Sequence, residues 1–126
     1  MPEAPITTAA ATVLSVVIPM YNEEEVLPAL VTRLRPVLAD LGVGYEVIAV
    51  DDGSTDRTPE LLAAFRLGWP ELRIIGLRRN SGHQAALTAG LDRAVGAYVV
   101  SIDADLQDPP EKITDMLALA RSARMP

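Results

Sequence analysis

The sequence predicts an α/β fold: an open, mostly parallel sheet with helices on both faces. Four apolar runs alternate along the chain with four stretches of helical periodicity, the order that builds a parallel sheet through right-handed crossovers. Hydrophobic residues make up 49% of the chain but aromatic residues only 4%, so the core must be built from Val, Leu, Ile and Ala. Such a core suits parallel strands covered by helices. The 126 residues make at most one domain, long enough to bury a sizeable core.

The first strand is LSVVIP, with Leu14 to Ile18 as its body and Pro19 as its stop. Asn22 reads as a helix N-cap, and Glu23, Glu24 and Glu25 suit the positive end of a helix dipole. Val26, Leu27, Leu30, Val31, Leu34, Val37, Leu38 and Leu41 follow at helical spacing. Pro28 lies early enough to be tolerated, Pro36 is expected to kink or divide this helix, and Gly42 and Gly44 end it. The second strand, Tyr45 to Val50, runs into DDGSTD. Thr58, Pro59 and Glu60 open a short helix that ends near Gly68. Leu72 to Leu77 form the third strand, and a helix rich in Ala and Leu runs from about His83 to Val95, ended by Gly96. The fourth strand is Ala97 to Asp103, and Pro109 or Pro110 opens a last helix reaching about Arg121.

The chain has no cysteine, which removes disulfides and thiolate metal sites. A net charge of −6 argues against a nucleic-acid partner, whose phosphates require clustered Lys and Arg. A phosphate-bearing small molecule stays open, because a bound cation bridges acid to phosphate. Residues 1–12 read as a mobile extension without the basic and apolar regions of a secretory signal. No apolar run approaches the roughly 20 residues that span a bilayer, so the expected location of this chain is cytoplasmic.

Ligands of open parallel sheets bind beyond the carboxyl ends of the strands, where strand order reverses. If the first and fourth strands are neighbours, PMYNEEE, DDGSTD and DADLQD converge there. Asp103 and Asp105 then offer two hard oxygen donors of the kind that magnesium and manganese favour, and Gln107 offers an amide oxygen. The plain alternative is a polar turn with Asp108 as N-cap of the last helix. Asp51 or Asp52 could accept hydrogen bonds from a nucleobase N–H or a ribose hydroxyl, and so could Glu23. Their plain alternatives are loop stabilisation beside Gly53 and a place in the first turn of a helix. Arg78 and Arg79 form the one conspicuously basic stretch with Asn80 and His83. Exposed arginines are usually solvated, and a lone histidine beside a helix start is more often structural than catalytic.

SVVIPMYNEEEVL, VIAVDDGSTDRT, RNSGHQAALTAGLDRA and SIDADLQDPPE resemble, in order and spacing, the inverting family 2 glycosyltransferases of the GT-A fold. The fourth stretch is most similar to polyprenyl-phosphate sugar transferases of the dolichyl-phosphate mannosyltransferase and bactoprenol glucosyltransferase type. The resemblance implies that residues 13–126 are the Rossmann-like nucleotide-sugar-binding portion of a larger domain. It implies donor contacts from Pro19, Tyr21, Glu23 and Asp52, with Asp51 nearby and His83 and the Asn80–Gly82 turn on the donor side. Asp103 and Asp105 match the family's DXD motif, which binds a divalent cation, Mg2+ or Mn2+, and the donor diphosphate; Gln107 matches a further metal contact.

The implied partners are a UDP- or GDP-sugar and, for the complete enzyme, a polyprenyl phosphate at the cytoplasmic face of a membrane. The acceptor oxygen would already be anionic, so no protein base is needed, and one displacement would invert the anomeric centre. No catalytic residue is assigned within these 126 residues, which are expected to bind donor without turning over. Two other readings remain. A receiver-like magnesium-binding module has this length and architecture, but its phosphoacceptor Asp should follow the third strand, which here runs into LRRN. A noncatalytic nucleotide-binding fragment could self-associate as a homo-oligomer through an exposed sheet edge.

Overall fold

The computed structural model describes residues 12–123, so the extension expected over residues 1–12 lies outside them except for Thr12. Thr12 already belongs to the first strand. The elements are β1 (Thr12–Met20), α1 (Leu27–Asp40), β2 (Gly44–Asp51), α2 (Thr58–Leu67), β3 (Leu72–Gly76), α3 (His83–Arg93), β4 (Tyr98–Ser101) and α4 (Lys112–Ala123). The strands lie in the order β3-β2-β1-β4, and every pairing is parallel. Strand order therefore reverses between β1 and β4, as a site at their carboxyl ends requires.

The larger core lies on one face of the sheet. Leu27, Leu30, Leu34 and Leu38 of α1, Leu62 of α2, and Ile113 and Leu117 of α4 pack there against Leu14, Val16, Ile18, Val47 and Ala49. The other face is thinner, with Val17, Ile48 and Val50 meeting Ala86 of α3. Alternation along each strand assigns neighbouring residues to opposite faces. Gly90 lets α3 approach the sheet closely, since a Cβ there would stand 2.4 Å from Val17 Cγ1.

Several boundaries differ from the sequence expectation, each for a physical reason. Pro19 does not stop β1, which pairs on through Pro19↔Val50 and Met20↔Asp51. The Met20 carbonyl accepts from Asp52 of the β2 side, and the Val17 carbonyl accepts from Ile102 of the β4 side. Alternate residues thus bond to alternate neighbours, and Pro19 is directed to the β4 side, beyond the last β4 pair at Ser101. Its missing N–H costs no ladder bond. Asn22 is not an N-cap: α1 begins at Leu27, and Asn22 has φ 52°, far from the extended backbone of a cap. Pro36 lies inside α1, which stays one helix. Pro36 and Thr32 are both exposed, so the carbonyl freed four residues earlier is left to solvent.

Helix α3 ends at Arg93, two residues before the expected Val95, because the N–H groups of Val95 and Gly96 are taken by the sheet. Val95 N–H donates to Glu46 and Gly96 N–H to Ser15 Oγ, both at 2.8 Å. Strand β4 is shorter than Ala97 to Asp103, and Asp103 lies in the loop beyond it. Asp108 does not cap α4. That helix begins at Lys112, after turns closed by the Pro109 and Pro110 carbonyls. Among the described residues, no helix is long and apolar enough to cross a membrane.

Candidate functional site

A cleft of about 470 Å3 opens at the carboxyl ends of β1, β2 and β4, against the N-terminus of α3. Pro19, Tyr21, Glu23, Asp52, His83, Asp103 and Asp105, singled out in the sequence, all line it. Met20, Asn80, Gly82, Ala86 and Ala104 complete the wall. Asp51 and Gln107 are not part of the wall. Asp51 is buried, and its Oδ1 accepts the Ser54 N–H at 3.0 Å, the loop-stabilising role. Gln107 is exposed, and its backbone N–H donates to Asp105 Oδ1 at 3.1 Å. Arg78 and Arg79 also stand outside the wall.

The loops forming the cleft are held by side-chain to backbone hydrogen bonds. Asp52 is 3% exposed; its two carboxylate oxygens accept the Ser81 N–H at 2.7 Å and the Gly82 N–H at 2.9 Å. The loop after β3 is thereby tied to the end of β2. Gly53 makes this closeness available. At φ +72°, a Cβ would stand 2.4 Å from the Arg79 backbone carbon. The loops after β1 and β2 are joined in turn, with the Glu23 N–H donating to Thr58 Oγ1 and the Glu24 N–H to Asp56 Oδ2. Only the loop carrying Asp103 and Asp105 lacks such a cross-loop side-chain bond among the described residues.

The field in the cleft is negative. Burial raises the pKa of Glu23 above its ordinary value, and the charges of Asp105, Asp56 and Asp103 raise it further, against a lowering hydrogen bond from the Tyr21 backbone. Among the described residues, no Lys or Arg lines the cleft to offset these acids. Among the described residues, no three His, Cys, Asp or Glu side chains group as a complete metal cage. The donor set still fits a hard cation: two carboxylates on one wall supply oxygens, and magnesium-like ions commonly complete their shell with water and phosphate.

Sequence reasoning missed Met20, Ala86 and Ala104, whose contribution is shape and which carry no polar signal. It also read Asn22 and Asp52 without the cross-chain bonds that fix the loops. Those bonds join residues about thirty positions apart, a relation that only the fold establishes.

Residues 15–124 match the family model described as glycosyl transferase family 2. The chain is 48% identical over 103 residues to the uncharacterized glycosyltransferase YkcC of Bacillus subtilis (strain 168), covering 82% of this chain and 32% of that protein. It is 48% identical over 109 residues to the undecaprenyl-phosphate 4-deoxy-4-formamido-L-arabinose transferase of Pectobacterium carotovorum subsp. carotovorum (strain PC1), covering 85% and 33%. Among solved structures, S. aureus TarS in complex with UDP-GlcNAc superposes with a TM-score of 0.66 at 30% identity, over 88% of this chain and 32% of that one. The mannosyltransferase PcManGT from Pyrobaculum calidifontis, in complex with GDP-Man and Mn2+, gives a TM-score of 0.69 at 26% identity, over 90% and 32%. The chain thus spans about a third of the length of the relatives it matches.

Proposed function

This chain belongs to glycosyltransferase family 2, and from that premise we propose that its cleft binds the nucleoside diphosphate part of a nucleotide sugar. The observation that carries the reading is the meeting of Glu23, Asp52, Asp103 and Asp105 in one cleft at the switch point of the sheet. Tyr21, Glu23 and Asp52 form the side suited to the nucleoside: an aromatic ring for a base to lie against, and carboxylate oxygens for base or ribose donors. Asp52 keeps acceptor capacity for this, since a carboxylate offers about four lone-pair sites and two backbone N–H groups occupy it.

Asp103 and Asp105 are the residues that would hold a divalent cation, Mg2+ or Mn2+. When bound, such an ion supplies Lewis-acid stabilisation of the charge that develops on a leaving diphosphate. Asp105 is held for that role by the Gln107 N–H, so Gln107 acts here through its backbone. His83, at the first position of α3, borders the donor side and is not assigned a proton-transfer role. The receiver-like reading is displaced by the family match.

The proposed reaction of the complete enzyme is inverting transfer to a polyprenyl phosphate, as in the name of the Pectobacterium relative. An acceptor phosphate oxygen forms a bond to the anomeric carbon, the bond from that carbon to the donor diphosphate breaks, and the nucleoside diphosphate leaves. The acceptor is a membrane lipid, so the complete enzyme would work at the cytoplasmic face of a membrane. The proposal assigns donor binding to these residues and turnover to a larger protein. Calorimetric titration with UDP- and GDP-sugars, with and without Mn2+, tests it and identifies the base. Asp103→Asn and Asp105→Asn should each abolish the Mn2+-dependent gain in affinity; a gain that survives both substitutions rejects the cation site.

A further inference from the structure

Asn22 lies between Tyr21 and Glu23, which both line the cleft, yet does not line it itself. Its backbone takes the left-handed φ of 52°, which asparagine tolerates better than most side chains. That turn leads the chain out of β1 and brings the Asn22 amide to the loop after β2. There its Oδ1 accepts the Thr55 N–H at 2.8 Å and the Asp56 N–H at 3.3 Å. Its Nδ2 donates to Thr55 Oγ1 at 3.3 Å, and its own N–H donates to Ser54 Oγ at 2.9 Å. One exposed side chain thus serves a backbone segment more than thirty positions away.

Both partners of this contact lead into the cleft. The residues on either side of Asn22 line the cleft, and so does Asp52, just ahead of the bound loop. Asp51 Oδ1 fixes the Ser54 N–H, so the loop that Asn22 grips is itself anchored to β2. Resting on the nucleotide reading above, we propose that Asn22 is a positioning residue for donor binding, which holds Tyr21 and Glu23 in register with Asp52. It touches no ligand and acts through the loop from Gly53 to Asp56.

A residue serving the fold alone would lower stability and leave the affinity of the folded protein unchanged. The test is calorimetric titration of the 126-residue chain with UDP and with GDP, each in the presence of MnCl2, at a temperature where circular dichroism shows every variant folded. Asn22→Gly keeps the left-handed backbone and removes the amide, and should weaken binding about tenfold. Asn22→Asp keeps the Oδ1 acceptor for two N–H groups and should stay within about threefold of the unaltered chain. Unaltered affinity in Asn22→Gly overturns the proposal, as does equal weakening in Asn22→Asp. If Asn22→Gly does not fold, the double variant Ser54→Ala, Thr55→Ala replaces it, with about threefold weaker binding expected and unchanged binding overturning the role. Should the unaltered chain bind neither nucleotide, the nucleotide reading falls and carries this one with it. If the unaltered chain binds and the variants match it, the positioning role alone falls.

Discussion

At Gly53 the side chain that is missing matters as much as the acids around it. Asp52 ties the Ser81 and Gly82 N–H groups to the end of β2, and the chain at Arg79 and Asn80 must pass beside Gly53 to reach them. A Cβ at that position would meet the Arg79 and Asn80 backbone at 2.4 and 2.5 Å, with φ at +72°. Backbone on the far side cannot swing away as a long side chain would. Gly53→Ala therefore combines the left-handed penalty with overpacking, and should cost about 3 kcal/mol of stability. Urea denaturation measures this; a loss under about 1 kcal/mol, the scale of the backbone preference alone, would show that the loops separate freely. The sequence showed Gly53 as a turn residue. Its close approach to a loop about 26 positions downstream is set by the tertiary fold and leaves no local mark.

Helix α3 shows how an element can defy local preference because of what it packs against. Gly90 stands in mid-helix, where alanine is favoured by about 1 kcal/mol. The sheet reverses that preference, since a Cβ would lie 2.4 Å from Val17 Cγ1 and 3.0 Å from Val50 Cγ2. Both are β-branched side chains of a buried layer, which have little freedom to turn aside. Gly90→Ala should thus destabilise by about 1–2 kcal/mol net. Combined with Val17→Ala, the losses should fall short of their sum, because the second change clears the space that the first fills. Strict additivity, or a stabilising Gly90→Ala, would contradict this packing. Element order, parallel pairing and the two-faced layering were legible from periodicity. The ends were not: Pro19 continues β1 because its partner strand has already stopped, and α3 stops early because Glu46 and Ser15 claim the next N–H groups. Each of these outcomes depends on a neighbour distant in sequence. The acids of the cleft were legible because strand order alone converges them, whereas the bonds of Asn22 across the loops were not.

Across the whole molecule, the two ends of the parallel sheet carry different polar work. The carboxyl ends hold the cleft, and near the opposite ends lies Glu46, at 6% exposure. It receives Ser15 Oγ at 2.6 Å, the Val95 N–H at 2.8 Å and Arg73 Nη1 at 2.6 Å. Arg73 also donates to the Arg93 carbonyl at the end of α3, a favourable place for a cation. One carboxylate thereby joins β1, β2, β3 and the exit from α3. Burial by itself would raise its pKa, but the bonds from Ser15, Val95 and Arg73 outweigh it and hold the value below the ordinary 4.5. A depressed folded-state pKa means that the unfolded chain binds the proton more readily. The stabilisation is therefore complete above 4.5 and is lost as pH falls through the lower folded value. Glu46→Gln should lower stability at pH 7 by about 2–3 kcal/mol, the scale of hydrogen bonds to a buried charge. The difference from the unaltered chain should shrink as acid protonates Glu46 below pH 4.5. Urea denaturation from pH 7 downward follows this difference, and a gap that is constant with pH would show that the charge contributes nothing. Because the two ends are separate, Glu46→Gln should leave UDP and GDP affinity unchanged while the protein stays folded, whereas Asp103→Asn should alter cation-dependent binding and leave the Glu46 hydrogen bonds intact.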